Sequence, residues 1–127
     1  MNKENFRIES KDTTPYILLD GEAGVVEISG KSVMPNPLAF YNPIINWCKT
    51  YLESPCPQTT IKRRLRRFNT SSSKMLYHLF KTFDVEELKN RVIIQWIIDD
   101  ADDGNMLCCG EDFQSLIKHI SFKIVEE

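Results

Sequence analysis

TTIKRRLRRFNTSSSKMLYHLFKTF, Thr59 to Phe83, changes character halfway along. Up to Phe68 it is a basic, strand-like run. Beyond it, Met75, Leu76, Leu79, Phe80 and Phe83 recur on one face at helical spacing. Between the two halves stand Asn69, Thr70, Ser71, Ser72 and Ser73. A helix leaves its first N–H groups without intrahelical acceptors, and short oxygen-bearing side chains supply them. This pattern predicts a strand over Thr59–Phe68 and a helix over 72–83, with Asn69, Ser71, Ser72 and Ser73 shaping the junction loop and capping the helix. The same N–H groups and the positive end of the helix dipole favour an anion. A phosphoryl group on one of these hydroxyls would therefore sit in a favourable field. Hydroxyl-rich helix starts are common, however, and most only cap. The reciprocal capping-box partner is missing, because Lys74 stands where Glu or Gln would reach back to Ser71.

Working outward, Tyr16–Asp20 reads as a short strand after Pro15, and Val25–Gly30 as a second one across the turn Gly21–Gly24. The short turn predicts an antiparallel hairpin. Residues 31–37 form a loop. A helix then runs to about Glu53, with Ile44, Ile45, Trp47, Cys48, Tyr51 and Leu52 on its apolar side. Pro43 suits a first helical turn, which starts this helix near Asn42; a start at Leu38 would put Pro43 inside it. The parity of Thr59–Phe68 is mixed, since Ile61 and Leu65 alternate with Arg63 and Arg67. Mixed parity suggests an edge strand or a bulged one. Arg91–Ile98 is nearly continuous in apolar residues and reads as a central strand covered on both faces. Met106 to about His119 reads as a third helix and Ile120–Val125 as a last strand. Residues 1–13 are expected to be loose. The order β-β-α-β-α-β-α-β implies an α/β (α+β) fold: one domain over 1–127 with a mixed, partly parallel sheet of about five strands and about three helices.

The 127 residues suit one packed domain, and 42% are hydrophobic. Sixteen basic residues nearly balance eighteen acidic ones, for a net charge of −2. That balance gives no general reason to expect a nucleic-acid or membrane-surface protein. The start of the chain lacks a signal-peptide core, and no apolar run approaches the ~20 residues that span a bilayer. The expectation is a cytoplasmic protein. Cys48, Cys56, Cys108 and Cys109 show neither disulfide-framework nor zinc-site spacing and read as free thiols.

The acidic run Asp99–Asn105 fails the EF-hand template, because Ala101 falls on the third ligand position and Gly110 on the twelfth. Asp100, Asp102 and Asp103 read as a solvated turn, as an acidic docking surface, or as hydrolytic carboxylates, for which nothing in the sequence supplies a substrate pocket. His78 and His119 lack metal-ligand companions, and the nucleophile elbow and glycine-rich phosphate loop are absent. No metal or cofactor is expected. The basic run 62–67 offers a nucleic-acid-binding alternative, but it is short and the rest of the chain is acidic. A local role is also open. Arg66 and Arg67, with Lys74 beyond, could help hold a phosphate or meet a partner's acidic face.

Five segments together resemble the SiaC family of bacterial regulatory phosphoproteins: Thr14–Asp20, Ile28–Ser32, Phe40–Pro43, Phe68–Leu76 and Gly110–Phe113. The similarity runs from about Thr14 to Val125, and the Asn-Thr-Ser-Ser-Ser-Lys element is its most specific part. It implies a fold like the STAS domains of anti-sigma-factor antagonists and no catalytic activity. It also implies a partner switch, in which a dedicated serine/threonine kinase adds a phosphate and a PP2C-type phosphatase removes it. In such a system the unphosphorylated form activates an effector such as a diguanylate cyclase and so promotes biofilm formation. By resemblance the phosphoacceptor is Thr70. The strand before the motif departs from the family pattern: it is basic here, and more apolar or aromatic there.

Overall fold

The computed structural model describes residues 5–99 and 105–126. Its elements are β1 (Phe6–Ile8), β2 (Tyr16–Asp20), β3 (Val25–Ser32), α1 (Pro37–Tyr51), β4 (Thr59–Phe68), α2 (Thr70–Phe83), a 3-10 turn (Glu86–Leu88), β5 (Val92–Ile98), α3 (Asn105–Leu116) and β6 (Ser121–Glu126). The strands lie in one sheet in sequence order. β1, β2 and β3 are antiparallel neighbours, and β3 to β6 are parallel. The mixed sheet, the three helices and the hairpin of β2 and β3 agree with the sequence reading. The difference in strand number comes from β1, which lies in the segment read as loose. Its three residues owe their place to backbone pairing with Ile17–Leu19 rather than to any apolar pattern of their own.

Strand alternation sorts the side chains onto two faces. Ile17, Leu19, Val26, Ile28, Ile61, Leu65, Val92, Ile94, Trp96 and Phe122 are buried and share one core cluster with Tyr41, Ile44 and Cys48 of α1, with Leu76, Leu79 and Phe80 of α2, and with Phe113 of α3. The opposite face carries the register row Leu18, Glu27, Lys62, Gln95 and Lys123. These side chains are half-buried or exposed. So β5 has a strand on either side, but Ile93 and Gln95 keep solvent contact, and its apolar run is covered on both faces only at its end, where Ile97 and Ile98 are both buried.

β4 is not an edge strand. It lies between β3 and β5, and its inward residues Thr59, Ile61, Arg63 and Leu65 are all buried. The alternative of a bulge does hold. Leu65 pairs with Gly30 and Arg67 with Lys31, which leaves Arg66 as the extra residue. Gly30 sits at this shift with φ +101°, a backbone region that side chains oppose.

α1 begins with Pro37 in its first turn and carries Pro43 inside it, so the earlier of the two starts is the right one. α3 approaches the sheet closely at Gly110, where a Cβ would fall 2.7 Å from the Trp96 ring. The indole Nε1 donates to the Met106 carbonyl at 2.9 Å. Trp96 also meets Phe113 and Phe122 with ring centroids 5.0 and 6.0 Å apart. Each such pair contributes about 0.5–1.5 kcal/mol beyond area burial.

Candidate functional site

Where β4 ends, Asn69 ties three segments together. Its backbone is extended, and its Oδ1 accepts from the Ser72 N–H at 2.9 Å and from the Ser71 hydroxyl at 3.4 Å. Its amide Nδ2 donates to the Met34 carbonyl at 3.0 Å, and its backbone N–H donates to the Ser32 carbonyl at 3.1 Å. Asn69 is therefore the cap of α2, and the helix starts at Thr70 rather than at residue 72.

Ser71, Ser72 and Ser73 do not cap. Ser72 is fully buried, and its hydroxyl accepts from the Ser32 hydroxyl at 2.8 Å. Ser32 in turn lies 2.7 Å from the Tyr41 hydroxyl. Burial pushes the Tyr41 phenol up to about 12, despite the Ser32 bond and the Arg63 charge, so it stays protonated and holds this bridge. The chain Ser72–Ser32–Tyr41 fixes the first turn of α2 to β3 and α1. Ser32 and Tyr41 escaped the sequence reading. A hydroxyl among apolar neighbours was their only signal, and it does not reveal which partner it meets.

Thr70, the first residue of α2, is exposed. It lies where two clefts meet. The larger, about 610 Å³, is lined by Arg66, Arg67, Phe68, Asn69, Thr70 and Ser73, and on the α3 side by Asn105, Met106 and Cys109. The second, about 460 Å³, is more apolar. It runs on between α2 and α3 past Lys74, Tyr77, His78, Asp112, Phe113 and Leu116.

Arg63 is fully buried and packs against Phe68 and Met106, two residues of the larger cleft's wall. Its guanidinium carbon stands 3.8 Å from the Trp96 ring centroid and 5.1 Å from that of Phe68. Its Nη1 donates to the Ile97 carbonyl at 3.4 Å, and Nη2 approaches the Met106 sulfur at 3.1 Å. A delocalised guanidinium on an indole face is the form in which a cation tolerates such a place. Met106 and Phe68, which touch it, also line the cleft, so the cleft has a fixed positive charge behind it.

The basic run 62–67 therefore does not make one basic surface. Arg63 faces the helices, while Lys62 and Arg64 face the open side of the sheet. Arg64 and Arg66 both approach Asp99, each at 3.5 Å. Asp100, Asp102 and Asp103 lie outside the described residues. The four cysteines are free thiols. Burial raises the thiol pKa of Cys48 and also that of Cys109, which lines both clefts. Among the described residues no group of three His, Cys, Asp or Glu side chains is placed to hold a metal, and no helix is long and apolar enough to cross a membrane.

The profile of a family described as SiaC family regulatory phosphoproteins matches residues 8–127. A comparison with curated proteins finds no match. The fold is that of apo-SiaC from Pseudomonas aeruginosa, with TM-score 0.84 and 24% identity over 96% of this chain and 98% of that one. It is equally close to SiaC from the same organism in a crystal structure of the diguanylate cyclase SiaD in complex with its activator SiaC. There the TM-score is 0.86 and the identity 23%, over 96% of this chain and 99% of the other.

Proposed function

The chain belongs to the SiaC family of regulatory phosphoproteins, and on that premise we propose that it is a non-enzymatic activator whose docking is gated by reversible phosphorylation of Thr70. A serine/threonine kinase adds the phosphate, and a PP2C-type phosphatase removes it. The effector that docks is a diguanylate cyclase or a similar enzyme. The Pseudomonas SiaC is the activator of such a cyclase and shares this fold.

The observation that carries the reading is the position of Thr70. It is exposed, first in its helix, and at the meeting point of two clefts. A kinase can reach it, and a partner that packs into either cleft covers it. Phosphorylation there adds a charge of about −1.5 to −2 and three acceptor oxygens. Burying that dianion under a partner costs far more than burying a hydroxyl, so a modification of a few atoms becomes a binary gate.

The test is to incubate the protein with its cognate kinase and ATP, and to map the phosphate by mass spectrometry. One phosphate is expected, on Thr70, and Thr70→Ala should abolish it. Full labelling of that variant would refute the site. Thr70→Asp should weaken effector binding about tenfold or more, equivalent to ~1.4 kcal/mol. Unchanged affinity would remove the electrostatic gate.

A further inference from the structure

Consecutive residues of a regular strand point to opposite faces, so an unbroken β4 would not put Arg66 and Arg67 on one wall. The bulge opposite Gly30 and Lys31 lifts that constraint. Both arginines line the cleft that contains Thr70. Both also line a separate groove of about 600 Å³, which Lys11, Lys31 and Arg64 make basic. The pair thus stands on the ridge between the two depressions. What holds Arg66 there is weak: its Nε is 3.5 Å from the Asp99 carboxylate, and its side chain is 75% exposed.

We propose that Arg66 and Arg67 are the receptor for a phosphoryl group on Thr70, which takes Arg66 over from Asp99. This rests on Thr70 being the modified residue. A phosphoryl dianion presents three acceptor oxygens and up to two charges against the single charge of Asp99. The planar guanidinium fork matches it with paired hydrogen bonds. Arg63 adds a fixed positive charge behind Phe68 and Met106 in the wall of the cleft. Among the described residues, the other charged or titratable groups lining the clefts at Thr70 are Lys74, Tyr77 and His78 on α2, and Cys109 and Asp112 on α3. Of these Asp112 opposes the anion, and Lys74 is the cation that competes with the arginine pair for it.

The exchange has two consequences. Asp99 loses a cation at the end of β5, where the chain continues into 100–103. The groove over Lys11, Lys31 and Arg64 loses two of its five cationic side chains to the neighbouring cleft. The phosphate is thus read on both sides of the ridge, although it is attached on one.

The experiment installs the phosphate without a kinase. A Thr70→Ser protein is made with phosphoserine incorporated at that position during translation, and its phosphorus NMR signal is titrated. A free phosphomonoester has its second pKa near ~6, and capture by guanidinium groups lowers it by about one unit. The lowered value is expected in this protein. It should be largely reversed by Arg66→Gln with Arg67→Gln, and unchanged by Lys74→Gln. Both arginines are exposed, so their replacement leaves the core intact. An ordinary value with both arginines present would overturn the proposal. So would a lowered value that survives the double replacement, or one that Lys74→Gln reverses instead. Because the phosphate is installed directly, this outcome is independent of whether a kinase selects Thr70, which the labelling experiment decides separately.

Discussion

At its C-terminal end α2 finishes on Asp84, whose side chain is fully buried and accepts from Lys81 Nζ at 2.8 Å and from the backbone N–H groups of Lys118, His119 and Ile120 at 2.9, 2.7 and 3.3 Å. At its N-terminal end the cap is the neutral Asn69, and the next residue is the exposed Thr70. The two ends handle charge in opposite ways. The carboxylate at the C-terminal end opposes the helix dipole. It is retained because four donors saturate it and because it clamps the connection from α3 to β6. The N-terminal end, where the dipole favours an anion, carries no acidic residue in its first turn. A charge that must be permanent is locked in by hydrogen bonds. A charge that is to come and go is left to a side chain that can acquire one.

The largest way to test this contrast is to remove the fixed charge. Asp84→Ala leaves three backbone donors and Lys81 without their acceptor in a buried place, and should cost about 3 kcal/mol or more in urea unfolding. A loss below ~1 kcal/mol would mean that the clamp is ornamental.

Acid sharpens the same point. Burial by itself pushes the Asp84 carboxyl up, but the bonds from Lys81, Lys118 and His119 outweigh it and hold the group below its ordinary 3.8. A depressed folded pKa stabilises the fold above the unfolded value and loses that contribution as pH falls through the folded one. Stability should therefore be level, as far as this group goes, from neutral pH to about 5, and should decline below ~4. Asp84→Asn should flatten that decline. An equally steep acid limb in the variant would assign it to other carboxylates.

The smallest effects belong to the N-terminal end. Asn69→Ala should cost about 1 kcal/mol through loss of the cap. Thr70→Ala, at an exposed position whose side chain caps nothing, should stay within ~0.5 kcal/mol in the same measurement. If Thr70→Ala proved as costly as Asn69→Ala, Thr70 would be a structural residue and a poor candidate for a switch.

The strand-to-helix change at Phe68–Thr70 was legible because both periodicities are local. So was the hairpin of β2 and β3, set by a short turn between two apolar runs. The site was legible as a cluster of hydroxyls, but their separate roles were not. Ser72 faces Ser32 and Tyr41, which lie 40 and 31 residues away, and nothing near Ser72 announces them. β4 misled for a related reason. An arginine between Ile61 and Leu65 looks like a broken apolar face until Trp96, 33 residues on, supplies a ring to stack on. The opposite wall of the cleft, Asn105, Met106 and Cys109, carries no local mark at all, because its place depends on how closely Gly110 lets α3 approach the sheet.

The order of elements from β2 onward, the parallel crossovers and the amphipathic α2 follow from the chain alone, since hydrophobic period and turn chemistry act over a few residues; β1 does not, because only its pairing with β2 makes it a strand. Which serine is buried, which arginine stacks, and where Arg66 and Arg67 come to stand depend on packing between distant segments and on one bulge in register. Those are energies of pairs that meet only after folding, so only the tertiary structure decided them.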